Sequence, residues 1–289
     1  LYPSKVRYQK FISSISNGNL NLFQNKELDK FISERFSGNN QVALDESYFK
    51  NLEISQIKNQ LKLDPKKRNI FLFSNIYWDV GINEMSFLYK DVISWVKDTI
   101  YMISNSNNIN LYIKTHPGEY YDKSQTPKGV ADFIGEEFGD NLPSNVFLIE
   151  PHMKIKPYDL FPYIDLGVIF SGTLGLEMML NKIPVVSTGI TPYLDLGFAN
   201  EPKSKDEYEK ILNGQIPLNK PKISDIRNFA YFYFIKSCIP WNISENLYGG
   251  FFNGFNIKCL NDLEPGKNEI LDHICNCLIN DKNQIIEDW

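Results

Sequence analysis

The stretch that most constrains the fold is residues 165–189, DLGVIFSGTLGLEMMLNKIPVVSTG. It predicts a strand over residues 166–170, a glycine-containing turn over residues 171–173, an apolar helix, and a second strand over residues 185–188. The first strand is continuously apolar with β-branched members, which is typical of a parallel strand buried on both faces. Gly175 is expected to let the helix approach the sheet closely. The stretch therefore predicts a βαβ unit.

The turn of this unit is a candidate binding site, because ligands of open α/β sheets bind at the carboxyl ends of the strands. Free backbone N–H groups at the helix start, together with the hydroxyls of Ser171 and Thr173 around Gly172, suit a phosphate. Glu177 lies one turn into the helix, where it would face a phosphate unfavourably but could reach both hydroxyls of a ribose. The alternative is that Ser171 and Thr173 only cap the helix and that Glu177 lies in solvent.

Alternating strands and helices extend this unit into a doubly wound parallel sheet. Strands are expected at residues 69–74, 109–114, 146–150, 166–170 and 185–188. Besides the helix of the βαβ unit, helices are expected at residues 84–104, 130–138, 158–164, 205–212 and 224–236. Five βα repeats with connections of ordinary length argue for an α/β, Rossmann-like fold with right-handed crossovers.

Two more loops with unusual residues follow strands at the same predicted edge. SNIYWDVG, after the first strand, carries Asn75 and Asp79, with Tyr and Trp between them that could belong to the core. KTHPGE, after the second strand, carries His116, and Pro117 fixes the backbone so that the imidazole is presented at the strand end. This histidine can donate to a phosphate oxygen and Lys114 can add charge, although a lone histidine can also be a satisfied buried residue.

The three loops together predict a nucleotide pocket. One phosphate donor, one helix start that suits an anion, and one carboxylate within reach of a ribose would meet at a single edge of the sheet.

Composition limits the other classes of protein. The 289 residues, 43% of them hydrophobic, are enough for one large domain or two modest ones. A net charge of -5 offers no basic surface for nucleic acid. No secretory signal and no apolar run of membrane-spanning length is visible, so we expect a soluble protein.

The cysteines favour reduced thiols. Their positions, 238, 259, 275 and 277, match neither a disulfide framework nor paired CxxC zinc spacing. Cys275 and Cys277 with His273 would be conceivable metal ligands, but an amphipathic helix over ILDHICNCLI explains the pattern better. We therefore predict no metal site.

Several motifs resemble the nucleotide-binding half of bacterial capsule polysaccharide biosynthesis proteins, a group that includes the capsule Kdo transferases and has the GT-B glycosyltransferase fold. They are WD after the first strand, KTHPGE, SGTLGLEMMLNKIPVV and FAYFYFIKSCIP. The resemblance covers residues 25–245. The His-Pro and Ser-x-Thr elements are also similar to motifs of bacterial sialyltransferases and teichoic-acid glycerophosphotransferases, which use cytidine nucleotides.

The resemblance implies roles for particular residues. His116 and Pro117 match the motif that binds the donor phosphate, residues 171–173 match the phosphate-contacting turn, and Glu177 matches the ribose-binding carboxylate. In a GT-B site, Lys114, His116 and the turn would stabilise the charge of the departing phosphate without a metal. Asp79 would lie at the cleft between the two halves, where it would orient the acceptor or act as a base, although the acceptor half usually supplies that base. His116 and Asp79 are therefore the candidate catalytic residues.

The implied function is a glycosyltransferase of surface polysaccharide synthesis. It would transfer a sugar from a nucleotide-activated donor, CMP-linked by the resemblance, to a polysaccharide or lipid-linked acceptor, and it would need no further cofactor. We expect it in the cytoplasm, with peripheral association at the inner membrane face. The alternatives are a nucleotide-sugar epimerase of the same fold and a non-catalytic nucleotide-binding module.

The implied domain arrangement is the carboxyl-terminal half of a GT-B fold with flanking helices. Residues 1–65 are predicted to be a helical linker segment, residues 66–240 the Rossmann-like nucleotide-sugar-binding domain, and residues 241–289 a carboxyl-terminal helical segment. A full GT-B enzyme also has an amino-terminal Rossmann-like domain, and no such domain is visible before Asn69. We therefore expect either a fragment of a longer protein or a form with a degenerate first half.

Overall fold

A computed structural model describes residues 5–15, 18–37, 61, 63–79, 81–121, 128–153, 155–238, 247–248, 251–252 and 257–280. The chain divides into two compact units, one comprising Leu1–Tyr48 with Arg227–Trp289 and the other Phe49–Ile226. Compact units need not fold independently, so the domain bounds at residues 65 and 240 stay a prediction.

The α-helices and strands lie along the described chain as follows. The helices are α1 (Lys5–Ser14), α2 (Leu22–Ser37), α3 (Val92–Ile103), α4 (Gly118–Tyr121), α5 (Val130–Phe138), α6 (Pro157–Leu160), α7 (Leu174–Leu180), α8 (Lys205–Leu212), α9 (Ile223–Tyr231) and α10 (Glu269–Ile279). The strands are β1 (Arg68–Phe73), β2 (Ile109–Lys114), β3 (Val146–Ile149), β4 (Leu166–Ile169), β5 (Val185–Ser187), β6 (Leu247–Tyr248) and β7 (Phe251–Phe252).

The larger unit is built on a parallel sheet with the strand order β3-β2-β1-β4-β5. Central strand β1 pairs in parallel with β2 on one side, where Ile70 lies opposite Leu111, and with β4 on the other, where Ile70 lies opposite Leu166. Continuous apolar runs suit these strands because β2 and β4 are buried along their whole length. The predicted doubly wound fold is confirmed.

Helices cover both faces of this sheet. Leu166 and Val168 belong to the apolar core that includes Trp95 of α3. Alternation along the strand turns Gly167 the other way, towards Met178 of α7. Since α3 follows β1 and α7 follows β4, the chain leaves these adjacent strands towards opposite faces. The crevice between their carboxyl ends is the switch point at which ligands of such sheets bind.

The predicted helix over residues 84–104 is too long at its amino end. The structure has a 3-10 turn at Asn83–Met85, and α3 begins only at Val92. The reason is a cap, because the Asp91 side chain accepts a hydrogen bond from the N–H of Ser94 at 2.6 Å. Phe87, counted in the helical pattern, lies before the helix and is 40% exposed.

Two other predicted helices differ in their type of turn. The segment at residues 158–164 is the single turn α6 followed by a 3-10 turn at Phe161–Tyr163. The segment at residues 224–236 is α9 continued by a π-helix at Phe232–Lys236.

The smaller unit is held by aromatic rings and amide hydrogen bonds. Tyr8 of α1 packs edge-on against Phe229, with ring centroids 5.0 Å apart. The side chain of Asn228 accepts from the N–H of Leu20 and donates to the carbonyl of Gly18. The predicted helical character of residues 1–65 is confirmed for α1 and α2, whereas residues 38–60 lie outside the described residues.

The amphipathic helix predicted around the late cysteines is confirmed as α10. Ile270 and Cys277 are its buried residues, which is the apolar face that the sequence pattern indicates. Within the described part of the chain, no helix is both long enough and apolar enough to cross a membrane.

Gly175 is required where α7 approaches the sheet, as the sequence indicates. A Cβ there would meet the Tyr193 hydroxyl and would lie 2.6 Å from Cδ1 of Ile169. We expect Gly175→Ala to lower the free energy of unfolding by about 1–3 kcal/mol through overpacking, measured by urea denaturation. The matched control is Gly135→Ala in α5, where a Cβ has open space. This substitution should raise the free energy of unfolding by about 0.5–1 kcal/mol, because alanine is a better helix former than glycine. Equal effects of the two substitutions would contradict this account.

Candidate functional site

The loops after β1 and β4 are joined by one side chain. The amide of Asn75 donates to the carbonyl oxygen of Ser171 at 3.2 Å, and its oxygen accepts the N–H of Ser171 at 3.3 Å. A side-chain amide thus takes the place of a backbone partner just beyond the last paired residues, Phe73 and Ile169. The two loops on either side of the switch point are therefore held at a fixed separation.

The turn over residues 171–173 has the predicted shape. Gly172 has a φ of +112°, which L side chains rarely adopt. The hydroxyl of Ser171 donates to the carbonyl oxygen of Ile190 at 2.6 Å, and the hydroxyl of Thr173 donates to Oε1 of Glu177 at 3.1 Å. A hydroxyl has one proton to donate, so either group would have to rotate to reach a phosphate. The role of the turn in phosphate binding stays a prediction.

Glu177 is buried, which overturns the alternative that it lies in solvent. Its side chain is on α7 and the residue is 2% exposed. Oε1 accepts from Thr173, and Oε2 accepts from the hydroxyl of Tyr158 at 2.8 Å. A buried carboxylate needs such donors. Its role in ribose binding stays a prediction.

His116 lies just past β2 and is half-buried. Its Nδ1 accepts the N–H of Gly118 at 3.0 Å, in the turn that Pro117 directs. Burial, together with the charge of Lys114, lowers the pKa of His116 to about 4, and Asp79 partly opposes this shift. The imidazole is therefore neutral at pH 7, with its proton on Nε2, and it can act as a neutral hydrogen-bond donor.

Lys114, the last residue of β2, is a buried cation. It is 3% exposed, and burial lowers its pKa to about 8 while Asp159 raises it. Burial also raises the pKa of Asp159, against the opposing effects of the Lys156 N–H and of the Lys156 and Lys114 charges. The ammonium thus remains mostly protonated at pH 7, close to the pH at which it would lose its proton. An anion beside it would favour the charged form.

The structure places the predicted residues in two groups at the carboxyl edge of the sheet. Lys114 and Asp79 are both close enough to shift the pKa of His116, and Asp79 is exposed in the loop after β1. Thr173 and Glu177 form a second group on the β4 side. Among the described residues, there is no group of three or more histidine, cysteine, aspartate or glutamate side chains arranged to hold a metal ion.

Sequence reasoning missed Tyr158 and Asp159. Both lie on the one-turn helix α6, where Tyr158 donates to Glu177 and Asp159 acts on Lys114. The sequence signal is faint, since YD after a proline is an ordinary helix start.

Glu119 is a further buried acid, directly after the His-Pro-Gly turn. It is 8% exposed, and its Oε2 accepts the N–H of Val130, the first residue of α5, at 3.2 Å. Its Oε1 is buried with no hydrogen-bond partner among the described residues. Burial raises the pKa of Glu119 to about 7, helped by Asp132 and opposed by the hydrogen bond from Val130.

The pKa of Glu119 predicts a dependence of stability on pH. The folded protein holds this proton up to about pH 7, whereas an unfolded chain releases it near the ordinary value of 4.5. The folded state therefore binds more protons in this window, and its free energy of unfolding falls as the pH rises from 4.5 to 7. We expect the free energy of unfolding of Glu119→Gln, relative to that of wild type, to increase by up to about 3 kcal/mol as the pH rises across that window. Urea denaturation at a series of pH values measures this difference.

The matched control for this prediction is Glu136→Gln. Glu136 lies exposed on α5 and pairs with Lys128. Its replacement should therefore change the free energy of unfolding relative to wild type by less than about 0.5 kcal/mol across the same pH window. A gain for Glu119→Gln that is constant with pH would show that the acid is ionised throughout.

No protein-family model matches the sequence, and no curated protein matches it either. Solved structures that are similar to the chain include KpsC of Thermosulfurimonas dismutans, a beta Kdo 2,4 transferase, at 14% identity and a TM-score of 0.43 over 76% of this chain and 59% of that one. Another is the C-terminal domain of LpcC, a glycosyl transferase group 1 family protein of Francisella tularensis, at 17% identity and a TM-score of 0.34 over 66% of this chain and 95% of that one. A third is OtsA, a trehalose-6-phosphate synthase, at 13% identity and a TM-score of 0.37 over 68% of this chain and 44% of that one.

These similar structures include Kdo transferases and other glycosyltransferases, the group that the sequence motifs resemble. The chain spans 59% and 57% of the length of two KpsC structures. With TM-scores of 0.43 and below for the three structures named, the similarity does not reach individual site residues, whose roles rest on the geometry described above.

Proposed function

We propose that this chain is the nucleotide-binding half of a GT-B glycosyltransferase. It transfers a sugar from a nucleotide-activated donor to a polysaccharide or lipid-linked acceptor in the synthesis of a surface polysaccharide. The observation that carries the proposal is that α6 lies beside both groups of predicted residues. Its Tyr158 donates to the buried carboxylate of Glu177, and its Asp159 acts on the buried Lys114 next to the neutral His116.

The β2 side of the switch point suits the donor phosphate. Nε2–H of His116 offers a directional hydrogen bond, because Nδ1 is occupied by Gly118. Lys114 offers a positive charge in a place from which water is largely excluded, where electrostatic stabilisation is stronger than in water. The backbone N–H groups that begin α7 add donors on the β4 side.

This arrangement assists the departure of the nucleotide. The bond between the anomeric carbon and the phosphate oxygen breaks, and its electron pair goes to the phosphate, which His116 and Lys114 stabilise. The acceptor hydroxyl forms the new bond to that carbon and gives its proton to a base. Asp79, exposed in the loop after β1, orients the acceptor or takes this proton. Lys114 supplies positive charge and His116 supplies a neutral hydrogen-bond donor, so we propose transfer without a metal or another cofactor.

Further parts of the proposal concern the ligands and the location. The carboxylate of Glu177 binds the ribose hydroxyls. The resemblance of the His-Pro and Ser-x-Thr motifs to those of enzymes that use cytidine nucleotides favours a CMP-linked donor. A lipid-linked acceptor favours a cytoplasmic enzyme that associates peripherally with the inner membrane face.

Calorimetry with CMP tests the proposal. We expect the chain to bind CMP and His116→Asn to bind it about 10- to 100-fold more weakly, because a charge-assisted hydrogen bond to the phosphate is lost. Asparagine is the informative replacement, since its oxygen can still accept the N–H of Gly118 where Nδ1 does. Cytidine, which lacks the phosphate, should bind both proteins alike.

The matched control is His152→Asn, because His152 is an exposed histidine beside Glu150, and its replacement should leave CMP affinity unchanged. If the chain bound no nucleotide at millimolar concentration, the proposal would be wrong. The remaining alternatives are separated by incubating a form of the protein that has both GT-B halves with the nucleotide-sugar donor. A transferase releases nucleotide in dependence on acceptor, an epimerase interconverts the sugar without acceptor, and a binding module does neither.

The proposed role of Glu177 predicts a dependence on the ribose hydroxyls. Glu177→Gln removes the charge that two hydroxyls would share, so CMP affinity should fall several-fold to about a hundredfold. The loss should largely vanish for 2′,3′-dideoxy-CMP, which lacks both hydroxyls. An equal loss for the two ligands would show that Glu177 holds the turn over residues 171–173 in shape instead.

A further inference from the structure

Helix α6 fixes the direction of one tyrosine. Pro157 begins this single turn, and the N–H of Lys156 donates to Oδ2 of Asp159 at 3.2 Å. The ring of Tyr158 packs edge-on against Phe161, with centroids 5.5 Å apart and an angle of 84° between the planes. The hydroxyl therefore has a defined position next to α7.

That hydroxyl reaches the carboxylate of Glu177. Tyr158 donates to Oε2 at 2.8 Å and Thr173 donates to Oε1 at 3.1 Å. The two donors come from different segments, one preceding β4 and one following it, so together they fix the plane of the carboxylate.

We propose that Tyr158 is a positioning residue that orients Glu177 towards the two ribose hydroxyls of the nucleotide. The inference rests on the proposed function and adds a residue that acts through Glu177 without touching the ligand. A side chain that accepts from a diol must be held in one rotamer, because a small rotation of the carboxylate lengthens both hydrogen bonds. The hydroxyl of Tyr158 holds that rotamer from the side of α6.

A purely structural role would have a different consequence. If Tyr158 only tied α6 to α7, its loss would disturb every ligand of the site equally. Orientation of Glu177 affects only ligands that have ribose hydroxyls.

The test is Tyr158→Phe, which keeps the ring and its contact with Phe161. Calorimetry should show CMP binding weakened about 2- to 10-fold, with 2′,3′-dideoxy-CMP changed by less than about twofold. Tyr101→Phe is the matched control, because Tyr101 also donates to a carboxylate, Oε1 of Glu137, at 2.8 Å. It should change neither affinity. In a Glu177→Gln background, Tyr158→Phe should cause no further loss.

Equal losses for CMP and its dideoxy form, unchanged or tighter CMP binding in Tyr158→Phe, or a full loss that persists in the Glu177→Gln background would each overturn the inference. Wild-type protein that binds no nucleotide would overturn the proposed function itself. The two failures are therefore distinguishable.

Discussion

Two hydrogen bonds between the amide of Asn75 and the backbone of Ser171 connect the loops that build the candidate site. The backbones of β1 and β4 must separate here because the chain turns to opposite faces of the sheet. A crevice is useful for binding only if its walls keep their distance, and an amide that both donates and accepts can bridge them. The β2 loop joins this arrangement through the parallel pairing of β1 with β2.

Burial sets the charge state of the site more than pairwise contacts do. It moves the pKa values of Lys114, His116 and Asp159 towards the neutral form in each case. The charges nearby only correct these shifts. A site of this kind is adapted to an anionic ligand, because a phosphate beside Lys114 would favour the charged form of the lysine that burial disfavours. The neutral imidazole of His116 then contributes direction, and Lys114 contributes charge.

The sequence was sufficient for the sheet and insufficient for the contacts between loops. Apolar runs predicted the five strands correctly because strands buried on both faces must be apolar along their length. Helical periodicity, in contrast, extended beyond the true start of α3, which the side chain of Asp91 determines. The motifs pointed to His116 and Glu177. The neutral state of His116 and the hydrogen bond from Tyr158 to Glu177 could not be predicted, since they depend on burial and on how the crossover from β3 to β4 places α6 beside α7.

The burial of Lys114 also determines how the site responds to salt. Ions screen charges on a protein surface within about 8–10 Å at ordinary salt concentrations, but they have little access to a group that is 3% exposed. The chain as a whole carries a net charge of -5, so its mean field repels a phosphate, and added salt weakens that repulsion. The proposed contact of Lys114 with a donor phosphate would therefore be less sensitive to salt concentration than contacts made by surface lysines.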